Sequence, residues 1–441
     1  MAVKIFYCYA HEDKVLRASL EKHLGTLKQL ELITGWSDRD IDAGKEWAKE
    51  VDSNLNTADI ILLLISPDFV HSDYCYSIEM KRALERHENG TVRVIPIILR
   101  HIDFEGASFS HLQSLPTDGI PVTDRKWRNR DEAFRDVALG IRKVVKELLS
   151  EQGIYEGNVY FYRQQYDEAL SAFEQAISLN PSNALAHIGK GQTLNQLASP
   201  LEPFMDDENY SERALAAFEQ AIQLDSTNSQ AYEGKGKALF KLKPWNNKEK
   251  VLSAYNQAIS LDSKTEATYI GKGDALMYYG CHEEALAAYE KAIEMALLPS
   301  KDIFKRKGDA LNNLKRYEEA LAAYEQNLHE FPSSDNVYVW KGAVLYELER
   351  YEEALAAYNK AISLGYKSAP IYKEVGDVLY KMEHYKEALD AYEQATNLNS
   401  ELYSAYEGKA TVLQILANEA LEKAVDPLAV DPLEDLEGSP F

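Results

Sequence analysis

The chain has 441 residues, 45% of them apolar and 27% charged, the balance of ordinary globular domains with room for two or three cores. Its net charge of −23, about −20 of which falls after residue 150, opposes non-specific binding to a nucleic-acid backbone, and no apolar run approaches the ~18–20 residues that a bilayer span needs. Three scattered cysteines (Cys8, Cys75, Cys281) give neither a disulfide framework nor a metal-ligand spacing, and the opening residues lack a signal-peptide pattern, so a reducing, cytoplasmic setting without metal, nucleic-acid or membrane partners is expected.

The predicted elements begin with a buried strand over residues 3–9. A helix from about Glu12 to Leu30 follows, with leucines at 16, 20, 24 and 27, then a short strand from Glu31 to Trp36. An Asp-rich loop reaching Gly44 leads into a helix from Glu46 to about Asn56. Asp59–Ser66, built on the continuous apolar run Ile60–Ile65, reads as a fully buried strand. After a Ser-Pro-Asp break, a second cap-like pair, Ser72-Asp73, opens a helix that carries Glu79. Thr91–Leu99 reads as the fourth strand, Gly119-Ile-Pro-Val122 as a fifth, and Asp131 to about Leu149 as a closing helix. Strands alternating with helices predict an α/β domain over residues 1–150, a five-stranded parallel sheet covered on both faces. Ligands of such sheets bind beyond the carboxyl ends of the strands, where Tyr9–Asp13, Trp36–Gly44, Ser66–Asp68 and Arg100–Asp103 all fall.

Three stretches in this region carry a resemblance. They are Val3-Lys-Ile-Phe-Tyr-Cys-Tyr-Ala-His-Glu-Asp13, then Trp36-Ser-Asp-Arg-Asp-Ile-Asp-Ala-Gly44 with Trp47, and Tyr74-Cys75 followed by Glu79. Residues 1–150 resemble the Toll/interleukin-1 receptor (TIR) domains, most closely the bacterial branch, which implies a flavodoxin-like fold. In enzymatic members a glutamate on the third of these stretches cleaves NAD, and it maps onto Glu79. Here Glu79 stands four residues after the cysteine, where the family has three; Cys8 replaces a usual serine, and Ala10 stands where several enzymatic relatives carry a basic residue.

From about residue 150 a different pattern recurs, clearest in Glu283-Glu-Ala-Leu-Ala-Ala-Tyr289 and Glu352-Glu-Ala-Leu-Ala-Ala-Tyr358. A small residue falls at Gly157, Gly191, Gly236, Gly273, Gly308, Gly342, Gly376 and Ala410, at spacings of 34, 45, 37, 35, 34, 34 and 34. A period of 34 with two helices per unit is the tetratricopeptide (TPR) signature. It predicts an all-α solenoid over 151–425, with seven full repeats and a partial eighth. The small residues admit a close helix partner, while Phe173, Phe218, Tyr255, Tyr289, Tyr324, Tyr358 and Tyr392 fill the seam. The long spacings mark insertions at Ala198–Ser211 and near Lys243–Asn247, and 426–441 reads as an acidic disordered tail. Lysines 190, 235, 272, 307, 341 and 409 precede the small residues, either as a ladder for an acidic partner or with each charge meeting a nearby acid.

These readings combine into an NAD-hydrolysing TIR effector governed by a TPR interaction solenoid, in antiviral or immune-type cell-death signalling. The substrate is NAD, and no cofactor is needed. The resemblance implies homo-oligomerisation through the TIR domain, with the solenoid offering a second surface for self-association and a site for a further protein or ligand. Glu79 is the candidate catalytic carboxylate, because one ionised carboxylate beside the sugar can stabilise an oxocarbenium-like ribose as neutral nicotinamide leaves; its alternative is a solvated helix acid. The candidate substrate-binding residues are Tyr9, Asp38, Asp42, Trp47 and Cys75. Tyr9 suits either stacking on nicotinamide or packing at a strand end. Asp38, Asp40 and Asp42 suit ribose hydroxyls or their own turn, and Trp47 suits a site wall, an assembly contact or helix packing. Two other functions fit the same motifs: a non-enzymatic TIR/TPR scaffold, and a cyclase that makes a cyclic ADP-ribose messenger.

Overall fold

The run Ile60–Ile65 has no polar side chain to show to water, and it becomes the centre of the N-terminal sheet, with every residue buried. The computed structural model describes residues 2–36, 47–103, 106–198, 207–242, 244–261, 265–298, 300 and 302–425. It contains strands β1 (Val3–Tyr9), β2 (Ile33–Trp36), β3 (Ile60–Ile65) and β4 (Arg93–Ile98). All pair in parallel, in the order β2-β1-β3-β4. Helices α1 (Lys14–His23), α2 (Gly25–Gln29), α3 (Trp47–Thr57), α4 (Pro67–His71), α5 (Met80–Glu88) and α6 (Arg130–Tyr162) connect and follow them.

Strand alternation sorts the side chains into two cores. Val3, Ile5, Tyr7, Leu62 and Leu64 pack with Leu20 of α1, with Leu24 just beyond it and with Phe134, Val137 and Ile141 of α6. Phe6, Cys8, Ile61, Leu63 and Ile65 pack on the opposite face with Val51 and Leu55 of α3 and Met80, Ala83 and Leu84 of α5.

The sheet has four strands among the described residues, not five. Asp118 and Gly119 take positive φ, 62° and 67°, and turn the chain where Gly119–Val122 was expected to extend. Pro121 has no N–H to give a ladder. Only single bonds tie this segment on, such as Val122 N–H to Ile98 O at 2.9 Å, while Leu115 makes an isolated bridge to Ile97. The helix expected from Glu12 to Leu30 is likewise two, α1 and α2, joined through Leu24. The closing helix does not stop near Leu149. Helix α6 runs 33 residues to Tyr162, so residue 150, where the sequence divides the chain, lies inside one helix.

The described residues fall into two compact units, divided between Ser226 and Thr227. The first unit also holds α7 (Tyr166–Leu179), α8 (Ala184–Leu197) and α9 (Asp207–Leu224), with α6–α7 and α8–α9 as close antiparallel pairs. In the second, α10 (Ser229–Leu242) pairs with α11 (Lys248–Ser260), and α12 (Glu266–Tyr278) with α13 (His282–Met295). The pairs α14 (Ile303–Asn313) with α15 (Tyr317–Glu330), α16 (Asp335–Glu347) with α17 (Tyr351–Ser363) and α18 (Ala369–Lys381) with α19 (Tyr385–Leu398) continue it, and α20 (Tyr403–Val425) follows. These are the hairpins of a TPR solenoid. Residues 199–206, most of the first insertion, lie outside the described residues, as does the expected acidic tail; Pro244–Asn246 of the second insertion forms a 3-10 turn. No helix among the described residues is long and apolar enough to cross a membrane.

The recurring small residue and the recurring aromatic meet within each pair. A Cβ on Gly308 would come within 2.5 Å of the Tyr324 ring, so any side chain there would push α14 off α15. Lys190, Lys307, Lys341 and Lys409 of the recurrent pattern each meet an acid on the preceding helix: Glu174, Glu290, Glu325 and Glu393 in turn, at 2.8–3.0 Å. Such half-exposed pairs contribute little stability.

The buried tyrosines are not equivalent. Tyr289, Tyr324 and Tyr392 donate to Asp274, Asp309 and Asp377 at 2.7–2.8 Å. In the repeat of Tyr358, Ala343 takes the aspartate's place, and the fully buried Tyr358 hydroxyl has no hydrogen-bond partner among the described residues. Tyr324→Phe should therefore destabilise by about 2 kcal/mol, because it removes a hydrogen bond to a carboxylate, whereas Tyr358→Phe should be neutral or slightly stabilising. Urea unfolding of the two variants checks this; equal losses would contradict it.

Candidate functional site

In the strand order 2-1-3-4, β1 and β3 are neighbours whose connections leave in opposite directions, which opens a crevice at their carboxyl ends. A cavity of about 430 Å³ occupies this place, a volume suited to a small ligand. Its wall includes Phe6, Tyr7 and Tyr9 of β1, Ala10–Glu12 beyond it, Trp36 at the end of β2, Asp68, His71 and Ser72 after β3, and Tyr74, Cys75 and Glu79. Phe6 and Trp36 stack with centroids 5.4 Å apart and planes 17° apart, giving one side a flat aromatic wall.

Glu79 owes its position to a local irregularity. Residues Tyr74–Glu79 form a π turn ahead of α5, in which the Met80 N–H reaches back five residues to Cys75 O. The sequence reading continued an ordinary α-helix through this point. A π turn holds one residue more than an α turn, and Cys75 and Glu79, four residues apart at this turn, both line the cavity. Such turns occur frequently at functional sites. Glu79 is only 7% exposed and is not a solvated helix acid. Its Oε2 accepts a hydrogen bond from the Cys8 thiol at 2.9 Å.

Two protic groups beside the carboxylate hold on to their protons. Burial pushes the Cys8 thiol well above its usual range, and the adjoining Cys75 thiol and the Glu79 charge add to the effect. Burial, followed by the charges of Glu79 and Asp52, pushes the Tyr74 phenol up to about 12. Both groups therefore remain protonated beside Glu79, able to donate and unable to act as nucleophiles at neutral pH.

The floor of the crevice is polar and closely bonded. Asp13, 1% exposed, accepts from Arg100 Nε and Nη2 at 3.1 and 2.8 Å and from the Ser66 hydroxyl. Ser66 also caps α4 by accepting from the Phe69 N–H at 3.1 Å, and Arg100 continues to Asp68 on the cavity wall. Strands β1 and β3 are thus tied at the ends that frame the site.

Of the residues expected from sequence, Glu79, Tyr9 and Cys75 converge on the cavity. Cys75 Sγ lies 3.5 Å from Tyr9 O, and the Arg17 guanidinium sits 5.1 Å from the centre of the Tyr9 ring. Asp38 and Asp42 lie outside the described residues, with Asp40; Trp47 begins α3, and its side chain also lies outside them. Sequence reasoning assigned no role to Cys8, Trp36 or Tyr74. The signal for Cys8 was present in the period of β1, which puts Phe6, Cys8 and Ala10 on one face.

Comparison with known proteins agrees with this organisation. Residues 5–135 match the model of the TIR domain. Residues 157–197 match a TPR repeat model, and 270–335 and 333–401 match tetratricopeptide repeat models. An uncharacterized protein y4lF of Sinorhizobium fredii is 50% identical over 139 residues, which take in 32% of this chain and 42% of that protein. The chain thus spans less than half the length of this curated relative. Among solved structures, the TPR protein YrrB is 21% identical over 44% of this chain and 99% of its own, with a TM-score of 0.40. The C-terminal part of a TPR repeat-containing protein from Cytophaga hutchinsonii is 18% identical over 58% of this chain and 98% of its own, with a TM-score of 0.46. The chain therefore carries a TIR domain at residues 5–135, followed by tetratricopeptide repeats.

Proposed function

We propose that the TIR domain cleaves the nicotinamide–ribose bond of NAD, with Glu79 as the catalytic carboxylate. The observation that carries this reading is a buried carboxylate, Glu79, on the wall of an aromatic-lined cavity at the carboxyl ends of the strands. As the bond breaks, the pyridinium takes the bonding pair and leaves as neutral nicotinamide, so no general acid is needed. Positive charge develops on the ribose, where an ionised Glu79 stabilises it, and water adds at the anomeric carbon. Tyr9, Tyr74 and the Phe6–Trp36 pair offer stacking faces for the nicotinamide ring. Cys75 bounds the same space, and in this reading Asp38, Asp42 and Trp47 of the neighbouring segment contribute to substrate binding.

A TIR domain joined to TPR repeats supports a signalling or interaction role. In the reading proposed here the repeats receive a partner and control self-association of the TIR domains, and NAD depletion is the output, in a cytoplasmic, immune-type response. Incubation of the full chain with NAD, over a range of protein concentrations and with chromatography of the products, tests this. Nicotinamide with linear ADP-ribose is the expected result, with activity per molecule rising with concentration. A cyclised nucleotide would mark a messenger-forming cyclase. Intact NAD at every concentration would overturn the proposal and leave a scaffold.

A further inference from the structure

The mechanism above uses Glu79 and leaves the Cys8 thiol, which donates a hydrogen bond to it, without a part. Cys8 is fully buried on β1 and faces the π turn, and its Sγ lies 2.9 Å from Glu79 Oε2. A carboxylate on a side chain with three rotatable bonds has little reason to hold one orientation in a cavity unless something fixes it. Hydrogen bonds to a charged acceptor are among the stronger ones available. Resting on the assignment of Glu79 as the catalytic carboxylate, we propose that Cys8 is a positioning residue: its thiol holds one Glu79 oxygen and so presents the other to the reacting sugar. The thiol suits this task because burial keeps it protonated. Its place in the middle of the sheet, between Tyr7 and Tyr9 and paired in register with Leu63, gives it almost no freedom to move away.

The test compares Cys8→Ala and Cys8→Ser in the full chain. Cys8→Ala should lower kcat about 10-fold with little change in KM, because the bond acts on the orientation of Glu79 and not on NAD binding. The acid limb of its pH profile should move to higher pH, since the carboxylate loses a donor that favours its ionised form. Cys8→Ser restores a donor and should recover at least half of the lost rate and return the limb towards its original place. A merely structural role would move neither the limb nor the serine variant in this way. Infrared spectroscopy of the S–H stretch reads the bond without turnover. The Cys8 band, assigned by its loss in Cys8→Ser, should move to higher frequency in Glu79→Gln, where a neutral acceptor replaces a charged one. An unshifted band, or a folded Cys8→Ala with the parent kcat and pH profile, would overturn the proposal. Absence of NAD cleavage in the parent chain would instead remove the catalytic assignment of Glu79, and the infrared band alone then decides whether Cys8 holds it.

Discussion

Glu79→Gln should reduce NAD consumption at least about 100-fold while leaving the fold in place. Glutamine keeps the shape of the side chain, and its amide oxygen can still accept from the Cys8 thiol, so the π turn loses no packing. What disappears is the negative charge beside the ribose at the moment positive charge develops there. Among the described residues, Glu79 is the carboxylate that is both buried and on the cavity wall; of the others that line it, Glu12 is exposed to water and Asp68 is half-buried and already paired with Arg100. Exposed carboxylates interact through a high dielectric and are poor replacements. The measurement is NAD turnover beside circular dichroism and thermal unfolding of the same preparation. A folded Gln variant that turns over within a few-fold of the parent would take Glu79 out of the mechanism.

Arg100→Met should be the most damaging change to the stability of the N-terminal sheet that leaves its apolar core intact. Asp13 is almost completely buried, and Arg100 supplies two of its hydrogen bonds. Loss of the guanidinium leaves a buried carboxylate with the Ser66 hydroxyl as its remaining side-chain donor among the described residues. Breaking a buried pair in this way costs about 3–5 kcal/mol. The Arg100 side chain is itself 35% exposed, so water reaches its outer side and the lower end of that range is expected. That is about 6–12 °C in the melting transition of the N-terminal unit. Adding Asp13→Asn to Arg100→Met should recover part of the loss, because the unpaired charge goes with it. If the double variant is no more stable than the single one, the damage comes from lost packing and not from the stranded carboxylate. Since Arg100 also holds Asp68 on the cavity wall, NAD turnover should fall in step with the transition.

The sequence by itself determined the parts that repeat or alternate. An unbroken apolar run such as Ile60–Ile65 has few outcomes other than a buried parallel strand, and a 34-residue period of glycines and aromatics has few other than stacked helical hairpins. It also placed Tyr9 at a strand end, where an α/β sheet gathers its ligands, and Cys75 and Glu79 on the helical segment that follows β3. The features it left open depend on contacts between distant residues. Gly119–Val122 has the composition of a strand, but positive φ at Asp118 and Gly119 and the missing N–H of Pro121 keep it from extending the sheet. Helix α6 crosses residue 150 because nothing in its sequence breaks it, even though the repeat pattern changes there. The one-residue excess between Cys75 and Glu79 reads only as a spacing; folding turns it into a π turn that aims the carboxylate into the cavity. The bond from Cys8 to Glu79 joins residues 71 positions apart. No local propensity encodes such a bond, because it exists only once β1 and the π turn pack against each other.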